Sequence, residues 1–550
     1  MKVRIPIMID DPYTSRKGFK RDYEMVPAEE DFFLDGPVTR RVAVLDFDPQ
    51  SGALQPGARY VPPKKPNGEG GYDFQGPNGI YQSSFIQVST FATVLETMYM
   101  FEEPDALGRS LTWAFDAPQL LVVPRAGEWD NAFYERESRS LQFFYISQAG
   151  GQPVYTSLSR DIIAHETAHA ILDGISPTLY HAVTPQSLAL HEAIADLTAL
   201  LMSFRSRELR YAVLRETEGS LDNSTAFSTV APQFGKARDG MAEFLRNLNN
   251  LYNLHRGSEH QVSRYHPHSL SQVLSGALYS VLVKIYKAVG EQNPDWPSGK
   301  VLFVASERFK RMIFRALDYM PPGEVSFRDY GRAILAADQA AHPTDKQERE
   351  WICDEFVQRG IVLDRKALEV QTNFPFPGLS EVDLGVLQES DWAAYELVNR
   401  NRDFFAIPKE VSFHVHPRLK TEKYYFRKKG SREPVKIPEL ILKVSWSHPE
   451  PNQVKQALVR DRQITVGTTV AIDWETRNVR TCLSSDLGDE QRQDRDGMIQ
   501  RMLDDGILRI GDEALGPDGK PLCAAIRAET LGGTMRVRGA ARLLHIAEED

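Results

Sequence analysis

The sequence predicts an α+β chain in three parts: a β-rich lobe over residues 1–156, a helical lobe over 157–363 and a second β-rich region over 364–550. Three observations predict it. Short apolar–polar alternations dominate before residue 156, in LLVVPR and in the LQFFY run. From about 157 to 363 the apolar spacing is helical, interrupted at Gly174 and Pro177, at a polar stretch around 217–225, and at Pro267, Pro294, Pro297, Pro321 and Pro322. Beyond 364 β-like runs return, as in ELILKVSWS and ITVGTTVAIDWETRNVRTCL, followed by a charged segment from Asp486 to Asp496.

Taken in order, Val42 to Leu54 reads as a strand entering a turn, and Pro62 to Gly79 as a loop rich in Pro, Gly, Asn and Lys. Phe85 to Glu102 has helical spacing. Residues 121–150 read as a strand, then NAFYERESRSLQFFYIS as two strands around a polar turn. No internal repeat is present. Residues 364–550 read as a separate β-rich accessory region to which the sequence assigns no role, with a substrate or protein partner as its candidate occupant.

The chain has 550 residues, 42% of them apolar, which is ample for more than one core. With 65 basic and 75 acidic residues the net charge is −10, so there is no electrostatic footprint for nucleic acid. The basic, aromatic stretch Arg418–Arg432 reads as a solvated edge hairpin. Cys353, Cys482 and Cys523 are too scattered for a disulfide framework. No long uncharged apolar run suggests a membrane span, and the N-terminus has no signal-peptide pattern. The default compartment is the cytoplasm, with non-classical export left open.

The segment DIIAHETAHAILDG carries the chemistry. His165 and His169 are four residues apart, so a helix puts both imidazoles on one face, one turn apart, where they can share an ion. Ser157 or Ser159 can cap that helix, and Gly174 with Pro177 ends it. Glu166 lies on the adjoining surface, facing a water on the metal without binding it. A catalytic zinc takes three protein ligands and keeps one position open. The next helix, LHEAIADLTALL, offers Glu192 as third ligand, and Asp196, one turn on, as acceptor for the free ring N–H of a ligand histidine. His191 competes with Glu192, but it points about 100° away on the helix.

With these motifs the sequence resembles the thermolysin-like gluzincin metallopeptidases, which pair HExxH with a Glu-xxx-Asp helix, here HETAH and EAIAD. The likeness spans roughly residues 40–363 and is weak between about 203 and 262. It implies a two-lobed fold with the metal helix between the lobes, one zinc per chain, and cleavage of internal peptide bonds with Glu166 as general base. The family's cleft strand is matched by Asn131-Ala132-Phe133-Tyr134, which implies substrate binding by Asn131 and Ala132. The family's oxyanion tyrosine, eleven residues after the second ligand, is matched by Tyr180. Its oxyanion histidine is matched by His268, with His266 as close rival. Ile162, beside the metal helix face, is expected to line an apolar pocket for the residue after the cut.

The sequence also departs from the family. Asp161 matches a calcium-binding carboxylate, but its partner falls at Ser203, so calcium is not expected. The cleft arginine has no clear counterpart, and Ser263 stands where a carboxylate usually supports the oxyanion histidine. Two other functions compete. A gluzincin aminopeptidase would carry Gly-x-Met-Glu-Asn, and NAFY stands in that place. A catalytically silent or narrowly specific binding module on the same scaffold would usually lose a ligand or the base, and all are present here.

Overall fold

In the computed structural model the described residues are 2–9, 20–25, 32–65, 68–72, 79–147, 153–222, 229–230, 246–425, 433, 435–454, 461–504, 508–510, 526–531 and 534–539. Strands β1 (Lys2–Met8), β2 (Lys20–Met25), β3 (Val42–Val44), β4 (Tyr60–Val61) and β5 (Glu69–Tyr72) precede helix α1 (Ser83–Glu102). Strands β6 (Leu120–Val123), β7 (Ala132–Glu135), β8 (Ser140–Phe143), β9 (Tyr145–Ile146) and β10 (Val154–Tyr155) follow it. Val3, Ile5 and Ile7 alternate along β1 and are fully buried, which turns one face of the sheet β2-β1-β5-β4 onto the core. A second sheet has the order β3-β6-β8-β7, and β9 pairs with β10. Among the described residues β7 is the end strand of its sheet.

The helical part holds α2 (Arg160–Ile175), α3 (Pro185–Arg205), α4 (Arg207–Glu216), the paired β11 (Thr229–Val230) and β12 (Arg246–Asn247), then α5 (Pro267–Gln292), α6 (Ser298–Leu317), α7 (Phe327–Ala341) and α8 (Gln347–Gln358). Nearly every residue of α2 and α3 is buried. The buried Glu96 of α1 pairs with Arg160 at 2.7 Å and Arg205 at 3.3 Å, which pins the start of α2 and the end of α3 together. The helices α3 and α5 are long and apolar enough to cross a membrane. The relevant stretch is wholly buried in α3 and 67% buried in α5, as in core helices.

Local chemistry differs from expectation at both ends of α2. Ser159 is the N-cap residue, but its hydroxyl donates to the Asp161 carboxylate instead of capping. Gly174 does not end the helix, which runs to Ile175. A Cβ at Gly174 would lie 2.0 Å from the Thr112 carbonyl oxygen, so glycine is there for the close approach of that loop.

The C-terminal part holds β13 (Thr372–Phe374), α9 (Leu384–Glu389), α10 (Asp391–Arg400), β14 (Phe413–Val415), β15 (Leu419–Tyr425), β16 (Val435–Pro451), β17 (Asp461–Asp473), β18 (Val479–Ser484), α11 (Asp489–Asp504), β19 (Leu508–Ile510), β20 (Ile526–Leu531) and β21 (Thr534–Gly539). All nine strands join one sheet, whose spine is the long antiparallel pair β16–β17. The change of texture at residue 364 marks no break in the core. Ile441, Ala471 and Leu483 of this sheet belong to the same buried cluster as α2 and α3. Val183 and Leu188, at the start of α3, belong to a second cluster with Met498, Ile499 and Met502 of α11.

Where it is described, the basic stretch is an edge strand, β15, paired antiparallel with β16 alone, as expected, but it is not wholly solvated. Lys423 is fully buried, 3.0 Å from Asp318 and 3.7 Å from Glu439. A sequence shows the charge but not the carboxylates that meet it, Asp318 at the end of α6 and Glu439 on the neighbouring strand β16. Residues 426–432 of that stretch, and Cys523, lie outside the described residues.

Candidate metal centre

Helices α2 and α3 pack in opposite directions, so residues ascending α2 meet residues descending α3. His165 Nδ1 lies 3.1 Å from Asp196 Oδ1, and His169 Nδ1 lies 3.1 Å from His191 Nδ1. The other ring nitrogens face each other, with His165 Nε2 3.1 Å from His169 Nε2. Glu192 closes the group: Oε2 is 3.5 Å from His165 Nε2 and Oε1 is 3.3 Å from His169 Nε2. All these side chains are buried.

These separations suit a metal ion. Ligands about 2.0–2.1 Å from a tetrahedral ion are about 3.3–3.4 Å from one another; here the two Nε2 atoms are 3.1 Å apart, and each lies 3.3 or 3.5 Å from a different oxygen of Glu192. Two imidazoles and a carboxylate are also the donor set such an ion takes. Glu166 stands close by: its carboxylate and the two histidines have ligand atoms all within 4.8 Å of one another. Burial alone would push the Glu192 carboxyl up. The charges of His268 and His169 and hydrogen bonds from His165 and His169 hold it well below the usual carboxylate range. His191 is pushed down to about 3, chiefly by burial, and is therefore neutral at ordinary pH.

The remaining predicted residues fall at different removes. His268 Nε2 lies 3.5 Å from Glu192 Oε2, while His266 is the half-buried N-cap residue of α5. Tyr180 is buried, and its hydroxyl accepts the Arg136 backbone N–H at 3.2 Å. Burial raises its pKa, so it is a neutral phenol. Asn131 precedes β7, and its side-chain oxygen accepts the Ala132 N–H at 2.8 Å, so the two groups engage each other. Ile162 is buried in the main core. Asp161 accepts from Ser159 and from the Ile162 N–H, and the Ser203 hydroxyl donates to the Ala199 carbonyl.

Two features were not read from the sequence. One is the partner of His191, whose Nδ1 lies behind the ring of His169, 3.1 Å from its Nδ1. The other is a network one turn beyond His169. Asp173 accepts from the Tyr134 hydroxyl at 2.7 Å and from Arg136 Nε at 2.8 Å, and the Arg136 guanidinium lies 4.3 Å from the Tyr180 ring centre. It ties the hairpin of β7 and β8 to α2. The i, i+4 spacing of His169 and Asp173 was the available signal. A second acidic cluster, Glu103, Asp105 and Glu307, is filled by the Lys310 ammonium, which reaches Glu307 at 2.7 Å and Asp105 at 3.3 Å and also contacts Glu103.

No protein-family model matches this chain. No curated protein matches it either. Among solved structures it is similar to the precursor of protealysin, a metalloproteinase from Serratia proteamaculans, at 13% identity over 62% of this chain and 91% of that chain, with a TM-score of 0.34.

Proposed function

We propose that the protein is a zinc-dependent endopeptidase of the thermolysin-like, two-lobed kind, with His165, His169 and Glu192 as ligands. The observation that carries this reading is the buried cluster in which His165 Nε2 and His169 Nε2 are 3.1 Å apart and lie 3.5 and 3.3 Å from the two carboxylate oxygens of Glu192. Bound there, a zinc ion would supply Lewis acidity toward a water molecule and toward the scissile carbonyl. Glu166 takes the proton of the attacking water and returns it to the leaving amine. The Asp196 carboxylate accepts from His165 Nδ1 and fixes that ring. His268, beside Glu192, donates to the oxygen of the tetrahedral intermediate, and Tyr180 is the second donor assigned there. The edge strand β7, entered through Asn131 and Ala132, takes the substrate as an added strand. Ile162 is assigned to the wall of the pocket beyond the cut.

The test uses purified protein loaded with one zinc per chain and an internally quenched peptide. Glu166→Gln is expected to keep its zinc and lose about 10²- to 10⁴-fold in kcat. His169→Ala and Glu192→Ala are expected to lose the metal by elemental analysis. Full zinc content in both ligand variants would sink the ligand set, and an active Glu166→Gln would sink the base. Cleavage of aminoacyl anilides in preference to the internal peptide would favour an aminopeptidase instead.

A further inference from the structure

The helix α11 touches both the segment that leads into His268 and the start of the helix that carries Glu192. Four of its residues, Glu490, Asp494, Gly497 and Arg501, recur at spacings of four, three and four, which is one face of a helix. That face lies on Arg264 and Tyr265, just before His268. Arg264 Nη1 is 2.5 Å from Glu490 and 3.6 Å from Asp494. The Tyr265 ring covers Gly497 so closely that a Cβ there would be 2.4 Å from its Cε1. Arg501 donates to the Tyr265 carbonyl at 2.9 Å.

A different side of α11 holds the start of α3. Arg495 donates to the Thr184 hydroxyl at 2.9 Å, and Thr184 is the N-cap residue of the helix that carries Glu192. Arg495 is in turn fixed by Glu450, through Nε at 2.8 Å and Nη2 at 2.5 Å. Both residues are buried, and Arg462 donates to the same carboxylate at 2.8 Å. Met498, Ile499 and Met502 belong to the same buried cluster as Leu188, one turn before Glu192. One rigid helix thus grips the segment before His268 and the segment before Glu192.

We infer that α11 is a strut that sets His268 against Glu192, so that the C-terminal region completes the site in the same chain. Arg264, Arg495 and Arg501 are then positioning residues. The inference rests on the reading of His268 as a group that meets the substrate. A single exposed ion pair contributes little, but a carbonyl bond, an aromatic contact and two ion pairs along one helix face restrict a short segment together.

The experiment uses the full chain loaded with zinc and compares Arg264→Ala/Arg501→Ala with Arg264→Lys/Arg501→Lys, each with and without His268→Ala. The alanine pair is expected to keep its zinc and its unfolding midpoint. Amide hydrogen exchange over 263–268 should rise about tenfold or more, with α2 and α3 unchanged. Its kcat should fall about ten- to a hundredfold with KM within about twofold, since small misplacements of a catalytic group have effects of that size. The lysine pair should recover most of the loss, and the alanine pair should cost nothing further when His268 is already absent. Unchanged exchange, or a loss that adds fully to that of His268→Ala, overturns the strut. A His268→Ala enzyme as active as wild type overturns the role of His268 and the strut with it, and is separately visible from the first comparison.

Discussion

His191 faces the ring of one proposed ligand from behind. If His169 binds the ion through Nε2, its Nδ1 carries the hydrogen, and the neutral His191 Nδ1 at 3.1 Å must accept it. Loss of such an acceptor typically weakens metal binding about 10- to 100-fold. His191→Leu is therefore expected to show that loss in a chelator competition, while His191→Asn, whose side-chain oxygen can accept, should stay within about threefold of wild type. Equal affinity of the leucine and wild-type proteins would show that the contact has no part in holding the ring. The sequence ranks Glu192 above His191 as a ligand, because Asp196 lies one turn further along the face of Glu192 and no carboxylate does so for His191. It could not assign the residue a partner, because that partner lies on another helix, and the pairing depends on the antiparallel register of α2 and α3. The facing of His165 and His169 was legible for the opposite reason: their i, i+4 spacing fixes relative position within one helix.

At the scale of elements, α2 is held by close contacts that spacing rules do not reveal. Gly174→Ala would press a methyl into the Thr112 carbonyl, with backbone on both sides and no flexible side chain to give way. Overpacking of this kind costs about 1–3 kcal/mol. The expected result is a melting temperature lower by a few degrees and weaker zinc retention, since α2 carries both histidines; an unchanged melting temperature would mean that the Thr112 loop moves freely. The sheet strand β16 holds the converse case. Lys443 is buried, and burial, with the nearby Arg109 and Lys423 charges, brings its ammonium pKa down to about 8 against the pull of Asp318. A folded-state pKa below the unfolded value of about 10.4 means that the unfolded chain holds the extra proton between those limits. Stability therefore rises with pH across that window, and below about pH 8 the full cost of the buried charge is present. Lys443→Met is expected to stabilise the protein by about 1–3 kcal/mol at pH 7, with the gain vanishing above about pH 10.5. A gain that persists unchanged at high pH would point to packing instead of charge.

At the scale of the whole molecule, the texture of the sequence and the layout of its core disagree at residue 364. Binary patterning reports which face of a strand is apolar, but not which other element covers that face, so a sheet rich in alternation reads as a domain of its own. In the structure that face is covered by the helical part. Leu483, Ala471 and Ile441 enter the main core. Across the same boundary Arg315 and the Tyr319 hydroxyl meet Glu439 at 3.3 and 2.8 Å, and Asp318 meets Lys423 at 3.0 Å, all buried. Removing one side of a buried ion pair leaves an uncompensated charge, at a cost of about 3–5 kcal/mol each, and two such losses are comparable with the whole stability of an ordinary domain, about 5–15 kcal/mol. A chain ended at residue 363 would also strip Arg495 from Thr184 and the apolar cover from Leu188, which support the helix that carries Glu192. Such a fragment is expected to be largely unfolded by circular dichroism and to retain under about a tenth of the zinc, even though it contains every proposed ligand and Glu166. A cooperative melt and one zinc per chain in the fragment would instead establish the C-terminal sheet as a dispensable attachment, and would require the buried pairs at the boundary to be nearly neutral for stability.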